Sequence, residues 1–167
     1  MSRPTYRAFS LVEILIVVMI LGILAAIAIP KMSNAAQLAR ENSMKTDLQQ
    51  LRTQLGVYKS QHAVYPGYPN GDSNATPTMA AIQDQLLKFS SSSGATSTTR
   101  SALYQWGPYL DAMPTNAING KSDWKILADS DAVTPDDSTG WLYQPSTGII
   151  KPNNSGTDSA ARPVIDY

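Results

Sequence analysis

The chain of 167 residues contains no cysteine. That excludes disulfides and thiolate metal sites without choosing a compartment. It has 1 histidine, His62. This residue follows a long helical stretch, has no catalytic partner at a recognisable spacing, and reads as a surface residue. No Gly-x-Ser-x-Gly, P-loop or His-Glu-x-x-His pattern occurs, so an enzymatic role is not expected. Charge is sparse and balanced, with 13 basic and 13 acidic side chains. No basic patch interleaved with aromatics appears, and nucleic acid is not an expected partner. Between Lys31 and Gln61 there is no proline and no glycine except Gly56, so little there opposes a helix.

What is present is concentrated near the N-terminus. Phe9-Ser10-Leu11-Val12-Glu13 leads into an unbroken apolar run from Ile14 to Ile29. As a helix, Phe9–Ile29 would be about 31 Å long, close to the ~30 Å hydrocarbon core of a bilayer. A carboxylate at Glu13 is costly inside such a span, and a chain that keeps one has a use for it. Arg3 and Arg7 precede the run and Lys31 and Arg40 follow it, so the positive-inside count is nearly tied. The N-terminal stub lacks acidic residues and is placed in the cytoplasm. Gly22 and Ala26 share a helix face, a spacing that lets helices approach closely in lipid and that also suits ordinary membrane composition. A secretory signal ending at Ala26-Ile27-Ala28 is a rival reading. Glu13 and the length of the apolar run oppose it.

The stretch Ala8-Phe9-Ser10-Leu11-Val12-Glu13-Ile14-Leu15-Ile16-Val17-Val18 resembles the prepilin N-terminus shared by type IV pilins and type II secretion pseudopilins. The resemblance covers about 25 residues and implies a leader, residues 1–8, removed by a prepilin peptidase between Ala8 and Phe9. The same enzyme would methylate the new Phe9 amine. The family usually has glycine where this chain has Ala8, and Ser10 replaces a commoner threonine. A cationic amine at Phe9 and the carboxylate of Glu13 are each costly in hydrocarbon, and pairing offsets much of that cost. Within one helix the two lie one turn apart; between subunits, the pair would favour axial register during polymerisation.

Residues 9–30 are thus expected to form a transmembrane and polymerisation helix, kinked at Pro30, with residues 31–61 as its periplasmic extension. Glu41 and Lys45 form a favourable i,i+4 pair. Leu48, Leu51, Leu55 and Tyr58 recur at helical spacing and predict one buried face. Residues 62–167 are expected to form one globular domain. The predicted fold class is α+β: a long N-terminal helix packed on a small antiparallel β-sheet domain, the pilin-like lollipop. Thr78–Phe89 reads as a short helix. Ser90–Thr99 reads as a mobile loop. Trp141–Tyr143 and Ile149–Lys151 read as a hairpin with Gly148 in its turn. The tail after Pro152 reads as loose until Val164-Ile165. Trp106, Tyr109, Trp124, Trp141 and Tyr143 read as core rather than as a ligand shelf.

Trp106-Gly107-Pro108-Tyr109-Leu110 through Asn116 resembles a segment of the major type II pseudopilin. That resemblance implies calcium as a candidate ligand, with Asp129, Asp131, Asp136 and Asp137 as the local carboxylates. A solvated acidic loop is the competing reading, and no cofactor is otherwise expected. The function implied is a structural subunit of a periplasmic pseudopilus. Its expected partners are copies of itself, minor pseudopilins, the inner-membrane assembly platform, the prepilin peptidase and the lipid bilayer. Its expected location is the bacterial inner membrane, in a single pass with the globular domain in the periplasm. A surface type IV pilin and a non-polymerising, membrane-anchored binding protein are the alternatives.

Overall fold

The computed structural model describes residues 10–167, with backbone alone for residues 27–34. The chain divides into two compact units, one ending at Ala39 and the other Arg40–Tyr167. The first helix, α1, is Leu11–His62. After Glu13 its first described stretch is apolar on every face, and the large apolar side chains between Leu11 and Leu24 are 50–81% exposed.

The folded unit is built around the last part of α1. Met44, Leu48, Leu51, Leu55 and Tyr58 recur every three or four residues and are all buried. They meet Ile82 and Leu86 of α2 (Met79–Leu87), and Trp141, Tyr143 and Ile150 of the sheet. Thr78 caps α2 by accepting the Ala81 N–H at 3.1 Å. Burying each large side chain of this core contributes roughly 1.5–3 kcal/mol.

The fold is α+β, as the sequence predicts, but its principal sheet is mixed rather than antiparallel. β3 (Trp124–Ile126) pairs in parallel with β4 (Trp141–Gln144), and β4 pairs antiparallel with β5 (Ile149–Pro152). A parallel pair needs a long crossover, and residues 127–140 supply it. As the central strand β4 is buried at all four positions, which removes any alternation. The β4–β5 hairpin turns at Gly148, whose φ is +74° and where a Cβ would strike the Tyr65 ring.

Ser90–Thr99 is not a free loop. It forms a short ribbon of β1 (Phe89–Ser90) and β2 (Thr96–Ser97). Its turn lies against Gly71, where a Cβ would collide with the Ser93 carbonyl. The buried side chain of Gln85 donates to the Tyr68 and Gly94 carbonyls at 2.7 and 3.2 Å and accepts the Gly67 N–H at 2.7 Å. One amide thus fixes two loop segments, at Gly67-Tyr68 and at Gly94, which small polar composition did not foretell.

His62 is also not on the surface. It is 8% exposed, stacks on Tyr58 with ring centroids 4.2 Å apart, and places Nε2 2.9 Å from Tyr109 Oη and 3.1 Å from Ser90 Oγ. Burial pushes its pKa below the ordinary 6.5. The tail after Pro152 is likewise ordered, and Val164 is part of the core.

Candidate functional site: the N-terminal end of the first helix

The two expected processing positions, Ala8 and Phe9, lie outside the described residues, as does the side chain of Pro30, the expected kink. Glu13 and its surroundings are described. Ser10 precedes the first turn of α1, and its Oγ accepts the Val12 N–H at 3.3 Å. Glu13 folds back so that Oε2 accepts the Ser10 N–H at 2.9 Å. Side chain and backbone are therefore exchanged reciprocally, which satisfies two N–H groups that the helix start would otherwise leave unpaired. The carboxylate also lies where the helix dipole favours negative charge.

This cap is a role for Glu13 that its charge alone does not reveal. The signal was the Ser-x-x-Glu spacing of Ser10 and Glu13. The cap does not exhaust the group, because an ionised carboxylate offers about four lone-pair positions. The arrangement can thus start a helix in an apolar medium and still accept a cation from outside it.

Around this cap stand Leu11, Val12, Ile14 and Leu15, all exposed. Among the described residues no helix is long and apolar enough to cross a membrane. The apolar stretch with described side chains ends at Ala26, and its continuation in sequence, Ile27-Ala28-Ile29, falls among the residues described by backbone alone.

Elsewhere the aromatic residues do not form a ligand shelf. Tyr109, Trp124, Trp141 and Tyr143 are buried in the core. Trp141 donates to the Pro114 carbonyl at 3.0 Å and Tyr143 to the Pro66 carbonyl at 2.9 Å. Trp106 departs from the core reading, at 39% exposed, because its backbone rather than its ring joins Ser90 in an isolated bridge. A groove of about 510 Å³ between Tyr68, Pro77, Leu127, Asp131 and Pro145 lies open at the surface.

Residues 3–29 match the family model for the prokaryotic N-terminal methylation motif. The chain therefore carries that motif at the end where the Ser10–Glu13 cap sits. It is similar to the type II secretion system core protein G of Pseudomonas aeruginosa, with 35% identity over 71 residues, covering 42% of this chain and 50% of that protein. The core protein G of Vibrio cholerae is 36% identical over 63 residues, covering 38% of this chain and 43% of that one. The type IV major pilin protein PilA of Myxococcus xanthus is 39% identical over 68 residues, covering 41% of this chain and 31% of the pilin. The chain thus spans half the length or less of these relatives. No solved structure matches it.

Proposed function

We propose that this protein is a structural subunit of a pilus-like filament of the type II secretion kind, with no enzymatic activity. The observation that carries the reading is an apolar helix exposed on every face, beginning at a capped carboxylate, within a methylation motif. An all-round apolar helix needs lipid or other helices as its surroundings.

In this reading, residues 1–8 are a leader cut between Ala8 and Phe9 by a prepilin peptidase, which then methylates Phe9. Residues 9–30 sit in the inner membrane with the N-terminus cytoplasmic. Residues 31–61 extend the helix into the periplasm, and residues 62–167 complete a pilin-like globular domain. Pro30 supplies a kink. Assembly pairs the Phe9 amine of one subunit with Glu13 of its neighbour. Copies of the chain, minor pseudopilins, the assembly platform and the bilayer are the remaining partners. The similarity to the Myxococcus pilin supports a second reading, a type IV pilin of a surface filament, which uses the same N-terminal device.

The test is co-expression of Glu13→Val with the wild-type chain in a strain that assembles filaments. The variant is expected in the membrane fraction but absent from sheared filaments. Normal incorporation would contradict the assembly role.

A further inference from the structure

The calcium implied by resemblance can be tested against the residues that would hold it. Calcium takes roughly six to eight oxygen ligands. Asp129 accepts Ser146 Oγ, and Asp131 accepts the Ala128 N–H at 2.9 Å. Asp136 accepts Lys125 Nζ at 2.6 Å, Ser138 Oγ at 2.6 Å and N–H at 3.1 Å, and Asn153 Nδ2 at 2.7 Å. Asp137 accepts Ser155 Oγ, and also the Ser155 N–H at 3.2 and 3.3 Å. The backbone carbonyls of Asp137 and Ser138 accept Lys121 Nζ at 2.6 and 3.0 Å. The Asp136 carboxylate and the Asp137 and Ser138 carbonyls thus face ammonium groups, whose positive charge opposes a cation at the same oxygens. Among the described residues, no three acidic or histidine side chains gather. The residues do not fit calcium.

The C-terminal tail repeats this pattern with more burial. Asp158 is 4% exposed. Its Oδ2 accepts Arg162 Nε at 3.0 Å and Nη2 at 2.8 Å, together with Tyr167 Oη. Its Oδ1 accepts the N–H groups of Ala160 at 2.8 Å and Arg162 at 2.9 Å. A guanidinium fork here supplies both the positive charge and the geometry to close a loop on a carboxylate.

The closed loop is tied to α1 at separate points. Ser159 donates its N–H and Oγ to the two oxygens of buried Glu41, each at 2.8 Å. Lys45 Nζ lies 4.1 Å from the Tyr167 ring centroid. Arg52 Nη2 donates to the Tyr167 carbonyl at 2.6 Å and to the Ile150 carbonyl at 3.2 Å.

We propose that residues 155–167 form a calcium-independent clasp, in which Arg162 closes the loop on Asp158 and the closed loop holds α1 through Glu41, Lys45 and Arg52. Glu41 lies near the start of the folded unit, so the clasp fastens the first turns of α1 within that unit. The clasp does not depend on filament assembly.

Hydrogen exchange on the full chain in detergent micelles tests it, read by mass spectrometry with millimolar calcium or with a chelator. Wild-type protection of residues 156–164 is expected to be equal in both. Arg162→Gln should lower that protection about tenfold or more, the scale of one charge-assisted hydrogen bond, in both conditions. Ser159→Ala, a milder change, should lower it in the same segment while β4 stays protected. Calcium-dependent protection of the wild-type tail would overturn the proposal without recourse to any variant. Unchanged tail protection in both variants would overturn the fastening role.

Discussion

The apolar side chains from Leu11 to Leu24 stand exposed around α1, whereas Met44, Leu48, Leu51, Leu55 and Tyr58, farther along the same helix, are buried. Both stretches are helical, and both are rich in aliphatic residues. They differ in how those residues are arranged. The second stretch confines them to one stripe, with Gln49, Gln50, Arg52, Thr53 and Gln54 between, so one face meets a core and the other meets water. The first stretch has no polar face after Glu13, so water suits no side of it. Composition gives a helix in both places, and periodicity decides what surrounds it.

The largest effect expected separates charge from capping at Glu13. Glu13→Gln keeps an oxygen able to accept the Ser10 N–H but removes the charge. Incorporation into filaments should fall about a hundredfold or more, the equivalent of the roughly 3–5 kcal/mol lost when a buried ion pair loses one partner. Quantitative immunoblots of sheared filaments would measure it. Equal incorporation of Glu13→Gln and wild type would leave capping as the role of Glu13 and break the charged-pair account.

One substitution made in each half sharpens the contrast next. Leu51→Ala should destabilise the folded unit by about 2–5 kcal/mol, because a filled core position becomes a cavity. Leu15→Ala, the same chemistry on the apolar half, should leave the denaturation midpoint of that unit unchanged. Chemical denaturation in micelles, followed by tryptophan fluorescence, distinguishes the two. Equal shifts would mean that the halves share one core.

Acid should weaken the folded half in stages. His62 is held below its ordinary 6.5 by burial, so the unfolded chain binds that proton more readily. The stability it contributes is fully present above 6.5 and is lost as pH falls through the depressed folded value. Lys125, then Ser138 and Asn153, hold the Asp136 carboxyl well below its usual range, and Tyr167 and the Arg162 backbone do so for Asp158. Their contribution persists above the ordinary 3.8 and disappears only as pH drops further. Denaturation midpoints measured against pH should therefore fall in two stages, and His62→Gln should remove the upper one. A single stage in the wild type would contradict the buried-histidine account.

The smallest effect concerns the cap itself. Ser10→Ala should cost about 0.5–2 kcal/mol of helix stability at the N-terminal end while the Glu13 charge remains. Amide exchange at Val12 and Glu13 should rise, and filament incorporation should change little. A loss of filaments as deep as that of Glu13→Gln would place the cap, rather than the charge, at the centre of assembly.

What could be read from the sequence followed spacing. The Leu48–Tyr58 stripe, the helix at Met79–Leu87 and the hairpin turning at Gly148 each declare themselves within a short window. The parallel partnership of Trp124–Ile126 with Trp141–Gln144 does not, because strand direction depends on the crossover between them. The tail escaped for a related reason. Ser155, Asp158, Ser159 and Arg162 look like solvated residues until distant Glu41 and Arg52 are brought beside them. His62 and Gln85 were hidden in the same way, since a polar side chain announces neither its burial nor its partners. At the proposed functional end, the carboxylate of Glu13 stood out against its apolar setting, while its bond to Ser10 required attention to a spacing of three residues.

The account rests on a new amine appearing near Glu13, and the intact mass and N-terminal peptide of the chain purified from membranes test that most directly. A chain beginning at methylated Phe9 is the predicted result. A mature chain that still begins at Met1, or one cut near Ala28, would contradict it.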